Sequence, residues 1–173
     1  HTEAEVRVET ILPSFRKGVV VKALLAAHPY EEPAFDLYPL KNTWNQVGSG
    51  VVGELAEPET ETEFLKRIKK LFEVGCVKHT RLTGRLIQKV ALCGGSGAFL
   101  ASRAVASGAD VFITGEIKYH DYFNYENQIL MAEIGHYESE QYTKEIFYSN
   151  IRDLCPEVEV QMTRVNTNPI KYL

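Results

Sequence analysis

The strongest constraint on the fold is a regular alternation of apolar runs and amphipathic stretches in the second half of the chain. Residues 89–93, 110–114 and 129–134 are short apolar runs with strand character. Residues 98–106, 118–127 and 136–155 carry helical spacing. Strands separated by helices of about ten residues imply βαβ crossovers and a largely parallel sheet, with helices layered on both faces. The fold class expected is therefore α/β, a three-layer arrangement. Sites in such sheets form at the carboxyl ends of the strands. Three polar clusters fall there: Gly94-Gly95-Ser96-Gly97, Gly115-Glu116 and Gly135-His136.

The region before this alternation is less regular. Residues 5–11 alternate as a strand. Pro13-Ser14 opens a helix with Val20, Val21, Leu24, Leu25 and Ala27 at helical spacing, and His28-Pro29 ends it. A second strand is expected over residues 34–40, between prolines. This first segment, a βαβ-like unit of about forty residues, is too small to close a core alone. Residues 41–50 form a connection to a strand at 51–55, followed by Glu57-Pro58. Thr60-Glu61-Thr62-Glu63 is a capping box, in which the Thr60 hydroxyl takes the Glu63 amide and the Glu63 carboxylate reaches back. Its helix is expected to end near Glu73 and to bury Phe64, Leu65, Ile68, Leu71 and Phe72. Residues 157–162 suggest a last strand, and residues 164–173 a tail with turn chemistry at Asn168-Pro169. Because the chain opens with His1 and enters a strand pattern almost at once, a fragment or a processed product is expected.

With 173 residues, 45% of them hydrophobic, the chain can bury a real core. A net charge of −4 with mixed signs gives no electrostatic footprint for nucleic acid, and no basic amphipathic stretch suggests a membrane surface. No apolar run approaches the ~20 residues of a membrane-spanning helix, and the first residues given lack the basic-then-apolar order of a signal peptide; the expected location is the cytoplasm. Cys76, Cys93 and Cys155 are widely spaced and form no C-x-x-C, so buried packing is their expected role.

His136 and Glu140 are the candidate metal ligands. At i and i+4 on a helix they share one face. On a single helix over 136–155, Phe147, Ile151 and Leu154 lie within about 60° of His136, while Glu138, Glu145 and Arg152 fall on the opposite side. A carboxylate in line with a buried stripe calls for a cation or donors. The competing reading is that both residues decorate a first helical turn, where the macrodipole favours a carboxylate. In Thr114-Gly115-Glu116-Ile117-Lys118-Tyr119-His120-Asp121, Glu116 could orient a ligand histidine or a water, and His120 could carry a proton. Capping by Glu116 and simple exposure of His120 explain them equally well.

Other motifs weigh less. Gly48-Ser49-Gly50-Val51-Val52-Gly53 matches G-x-G-x-x-G but runs into a strand instead of opening a helix, which argues against a dinucleotide site. The Gly94–Gly97 loop lacks the Lys-Ser/Thr of a P-loop, and close packing explains it better than anion binding. The prolines of His28-Pro29-Tyr30-Glu31-Glu32-Pro33 point to a rigid turn or a subunit contact. His79 is read as structural. Neither G-x-S-x-G nor H-E-x-x-H is present.

Four words in order, HPYEEPAFDLYPL from His28, GGSG from Gly94, TGEIKYHD from Thr114 and GHYESE from Gly135, closely resemble the Nif-three-like dinuclear metal-centre family. Its bacterial members are often labelled GTP cyclohydrolase 1 type 2 homologues. The resemblance matches the rear half of a family member. It implies that residues 1–44 are part of an inserted PII-like or CutA-like (ferredoxin-like) module, and residues 45–173 the second half of the metal domain. It also implies a hexameric homo-oligomer and two divalent ions per subunit, of unassigned identity among Zn, Fe, Mn and Mg. Of the family's ligands only the H-x-x-x-E pair, His136 and Glu140, has counterparts here. Two protein ligands leave an ion largely hydrated, so this chain alone is expected to bind metal weakly and to be catalytically silent. Metal-dependent hydrolysis of GTP or a related small molecule is the implied activity of an intact protein. A non-enzymatic, metal-responsive assembly or regulatory module is the alternative.

Overall fold

The computed structural model describes residues 6–42 and 47–173. Glu5 of the first expected strand and residues 43–46 of the expected connection lie outside them. The chain divides into two compact units, His1–Trp44 and Asn45–Leu173.

In the first unit, a short 3-10 turn, Ser14–Arg16, leads into helix α1, Lys17–Ala27. The His28 amide still bonds the Leu24 carbonyl at 2.9 Å. Pro29 then bars continuation by restricting the residue before it. Residues 6–11 and 34–40 are not strands, contrary to the sequence expectation. Alternation favours an extended backbone, but a strand also needs a ladder partner for its amides and carbonyls. No residue of α1 is buried.

The second unit is built on a five-stranded sheet in the order β1-β3-β4-β5-β2. Its strands are β1 (Val51–Thr60), β2 (Lys78–His79), β3 (Leu86–Cys93), β4 (Val111–Thr114) and β5 (Leu130–Glu133). The three central strands are parallel, and both edge strands run antiparallel to their neighbours. β1 extends beyond the expected 51–55. Its register against β3 breaks between Glu54 and Glu59, where Pro58 cannot donate to a ladder. An edge strand tolerates that break.

Helix α2 (Glu61–Leu71) begins at the expected capping box: the Glu63 amide donates to Thr60 Oγ1 at 3.3 Å, and the Thr60 amide donates to Glu63 Oε2 at 3.2 Å. It packs Phe64, Leu65 and Ile68 against Ile87, Val111, Ile113, Leu130, Ala132 and Ile134. Leu71, expected inside, is exposed at the helix end. Adjacent residues of the same strands point the other way. Ala91, Cys93, Phe112 and Met131 pack with Ala101 and Ala104 of α3 (Ala101–Ala106). The sheet thus has a core on each face, as continuous apolar runs in central strands require. The buried Glu61 carboxylate is satisfied by the Thr83 amide and hydroxyl and the Gly84 amide, at 2.8–2.9 Å, and so pins the 83–84 loop.

The helix expected over 118–127 shortens to α4 (Asp121–Asn124). The long helix expected over 136–155 is broken into α5 (His136–Glu140) and α6 (Thr143–Leu154), with a turn at Gln141 and Tyr142. The break has a tertiary cause. Gln141 Nε2 donates to the Phe72 carbonyl at 3.1 Å and Tyr142 Oη to the Leu71 carbonyl at 3.1 Å, holding the turn on the end of α2. Residues 157–162 have no partner strand and form none. Of the three cysteines, Cys93 is buried, Cys155 half-buried and Cys76 exposed, so packing accounts fully for Cys93 alone.

Candidate functional site

Cys93, Thr114 and Glu133 stand abreast at the carboxyl ends of β3, β4 and β5. Parallel pairing therefore brings together the three loops that follow. The Gly94–Gly97 loop lies against the loop after β4 through two bonds to the Gly95 carbonyl: the Glu116 amide at 3.0 Å and the Thr114 hydroxyl at 3.2 Å. Thr114 Oγ1 also accepts from the Gly97 amide at 3.0 Å. Ser139 ties the same loop to α5. Its hydroxyl accepts from the Gly95 amide and donates to the His136 carbonyl, both at 2.8 Å.

Within this frame one imidazole lies between two carboxylates. His136 Nδ1 is 2.9 Å from Glu116 Oε1, and His136 Nε2 is 3.2 Å from Glu140 Oε2. With Glu116 accepting from Nδ1–H, the Nε2 lone pair faces the Glu140 side. Glu116 is itself fixed by Ser96, whose hydroxyl donates to Oε2 at 2.6 Å. The Ser96 hydroxyl first, and His136 second, hold the Glu116 carboxyl below the usual carboxylate range. His136 and Glu140 are both partly open to solvent, so a small ligand can reach them.

The glycines make this proximity possible. A Cβ on Gly95 would collide with Glu140 Oε1 and lie 3.3 Å from His136 Nε2, and the Gly95 φ of +60° disfavours a side chain in any case. A Cβ on Gly115 would fall 2.7 Å from both the Gly95 carbonyl and Ser139 Oγ. The loop is thus packed tightly under the pair, as a structural reading of Gly94–Gly97 supposes.

An imidazole and a carboxylate converging over a bare backbone are donors suited to a divalent ion. They offer two donor groups. Among the described residues, no group of three or more His, Cys, Asp or Glu side chains is placed to hold one. Cys93, at the end of β3, has its thiol pushed up by burial and then by the Glu140 charge.

His120 takes no part in the hydrogen bonds of this cluster. It is exposed before α4, its ring edge-on to Tyr119. His79 lies in β2 with Nδ1 2.7 Å from the Thr80 carbonyl. His28 accepts the Tyr30 amide at 3.1 Å, a local turn contact. The glycines at 48–53 run into β1, without a helix. One placement reverses the sequence expectation: Glu138, assigned to the solvent side of a long helix, is buried, whereas Glu140 is exposed. Residue-type reasoning also missed Ser96 and Ser139. Their only signal was their position inside the GGSG and HYESE words.

No described helix is long and apolar enough to cross a membrane. Residues 8–169 match the family described as Duf34/NIF3 (NGG1p interacting factor 3). A protein of Halalkalibacterium halodurans named "GTP cyclohydrolase 1 type 2 homolog" is 35% identical over 173 residues, covering 98% of this chain and 46% of that protein. The Bacillus subtilis protein of the same name is 32% identical, with 98% and 46% covered. The chain thus spans about half the length of the curated relatives it matches. Among solved structures, Staphylococcus aureus protein SA1388 aligns with a TM-score of 0.75 at 28% identity, over 96% of this chain and 55% of that one. A Bacillus cereus protein related to NIF3 gives 0.73 at 28%, over 94% and 46%. The chain belongs to the Duf34/NIF3 family.

Proposed function

We propose that this chain contributes one side of a dinuclear divalent-metal centre, with His136 and Glu140 as its ligands and Glu116 as the residue that orients His136. The observation that carries this reading is the convergence of His136 Nε2 and Glu140 Oε2, 3.2 Å apart, with the far imidazole nitrogen tethered to Glu116. Two divalent ions, drawn from Zn, Fe, Mn and Mg, complete the site with ligands from outside this chain. A bound ion of this kind supplies Lewis acidity and makes water acidic near neutral pH. The chain's own share is to present Nε2 in its unprotonated tautomer, to aim the Glu140 carboxylate and to keep the loop backbone close beneath them.

Hydrolysis of GTP or a related small molecule is the activity we propose for a protein of the relatives' length, drawing on the name those relatives carry. His120, whose ring meets Tyr119, is retained only as a candidate proton carrier. The His1–Trp44 unit is proposed as part of a PII-like inserted module, and a cytoplasmic hexamer as the working form. The alternative is a non-enzymatic, metal-responsive hexameric assembly or regulatory module. It draws support from α6, where Phe147, Ile151 and Leu154 are exposed as an apolar row suited to a protein neighbour.

Metal titration against a chelating competitor tests the reading. This chain is expected to bind zinc or manganese weakly and reversibly, with Glu140→Ala and His136→Ala each abolishing binding. Stoichiometric, dialysis-resistant metal that survives both substitutions overturns it. In a protein of full family length, metal-dependent GTP turnover that outlives the equivalent of Glu140→Ala would remove this site as the seat of hydrolysis. Metal-dependent assembly without turnover selects the alternative.

A further inference from the structure

Helix α5 is five residues long and ends in a turn, so it has no rigidity of its own with which to aim His136 and Glu140. Its direction must come from anchors. Ser139 is held by the Gly95 amide, and Gln141 by the end of α2. The third anchor is Glu138, which lies between the two ligands in sequence and points into the protein, 7% exposed.

The partner of Glu138 comes from the C-terminal segment. Asn168 Nδ2 donates to Glu138 Oε1 at 2.9 Å. The orientation of that amide is set from its other side, because Asn168 Oδ1 accepts the Ile170 amide at 3.0 Å. Asn166 Oδ1 in turn accepts the Asn168 amide at 2.8 Å, and Lys171 Nζ donates to the Asn168 carbonyl at 3.1 Å. The segment is therefore folded on itself around Asn168. Tyr172 follows it back onto the protein, with its ring 3.7 Å from where a Cβ on Gly75 would stand and its hydroxyl 3.4 Å from one on Gly135.

Among the described residues no donor forms a well-aligned hydrogen bond to Glu138 Oε2, and Tyr172 Oη is the donor close enough to interact with that carboxylate. Lost hydration and then the Glu138 charge raise the Tyr172 pKa, which keeps that hydroxyl protonated beside the carboxylate. Gly135, with φ of +97°, is the residue that lets the carboxylate fold back; a Cβ there would collide with Glu138 Oε2. A buried carboxylate with one committed oxygen is costly wherever else it turns. Its position between the anchor residues makes the tail the element that sets the roll of α5.

We propose that the segment 166–172 is a strap that positions α5 through Glu138, with Asn168 and Tyr172 as positioning residues for the His136–Glu140 pair. The metal part of this inference rests on the reading of that pair as ligands; the mechanical part does not.

Two readouts separate them. In Asn168→Asp a carboxylate faces the buried Glu138 carboxylate, and in Glu138→Gln/Asn168→Asp the donor and acceptor simply trade places. Amide hydrogen exchange at Gly95 and Ser139 is expected to accelerate at least tenfold in Asn168→Asp and to return to the wild-type rate in the double variant. Amides of α2 serve as the internal measure of intact folding. Zinc affinity is expected to fall about tenfold in Asn168→Asp, the lower end of what orienting groups around a metal contribute, and to be rescued likewise. Exchange rates at Gly95 and Ser139 within twofold of wild type in Asn168→Asp overturn the strap. Zinc binding that Glu140→Ala leaves unchanged overturns the ligand reading alone, since the exchange result does not depend on it.

Discussion

Helices α2 and α6 are nearly the same length, 11 and 12 residues, and both carry an apolar stripe, yet they end in opposite environments. Phe64 of α2 is 2% exposed in the core under the sheet, whereas Phe147 of α6 is 62% exposed and Leu154 80%. The difference lies in what faces them. α2 is launched by its capping box directly from β1 and lies back over the central strands, which offer Ile87, Val111 and Leu130. α6 leaves a turn pinned to the far end of α2, and no residue along it is buried within this chain. Amphipathicity specifies a face to be covered; it does not supply the cover.

The largest effect expected from this contrast is at Phe64. Phe64→Ala opens a void in a packed core and is expected to destabilise the Asn45–Leu173 unit by about 3–5 kcal/mol, measured by urea unfolding. A loss below about 1 kcal/mol would show that α2 is not docked as described. The next effect is at the launch point. Thr60→Ala removes the hydroxyl that receives the Glu63 amide and is expected to cost about 1 kcal/mol. No side chain caps α6, whose start is held instead by the Tyr142 hydroxyl on the Leu71 carbonyl.

The capping box also carries a pH dependence. The Thr60 hydroxyl first, and the Thr60 amide second, lower the Glu63 pKa below its ordinary value. A depressed carboxyl stabilises the folded state above the unfolded pKa of about 4.3, and that stabilisation is lost as pH falls through the lower folded value. Wild-type protein should therefore lose stability more steeply than Thr60→Ala in this acid range. Parallel acid-unfolding curves for the two would detach the Glu63 shift from the cap.

How much of this was legible in the sequence follows the range of the interactions. The capping box was readable because its partners lie three residues apart. The gathering of Glu116 and His136 was foreseeable from strand ends, because parallel pairing sets Cys93, Thr114 and Glu133 abreast whatever the loops contain. The facing of α5 was not. Projecting Glu138 outward took the stripe of Phe147 and Leu154 as the buried face, whereas that stripe is exposed and α5 is turned by bonds of Gln141 and Tyr142 to Phe72 and Leu71, about seventy residues away in sequence. The strands expected at 6–11, 34–40 and 157–162 failed for a related reason: alternation is local, and a ladder is not.

The smallest expected effect is the one that tests the comparison from the other side. Phe147→Ala removes an aromatic ring whose surroundings within this chain are mostly water. Truncating such a residue changes stability by no more than about 0.5 kcal/mol, so the urea midpoint should hardly move at low protein concentration. If α6 faces a protein neighbour in the working assembly, the same substitution acts on association instead, where a buried Phe is worth about 1.5–3 kcal/mol per site. Sedimentation of a protein of full family length, with and without the substitution, separates the two quantities. Unchanged monomer stability together with a weakened assembly would identify α6 as the covered face. A destabilised monomer would place a partner for Phe147 inside the chain itself, and α6 would then differ from α2 in degree only.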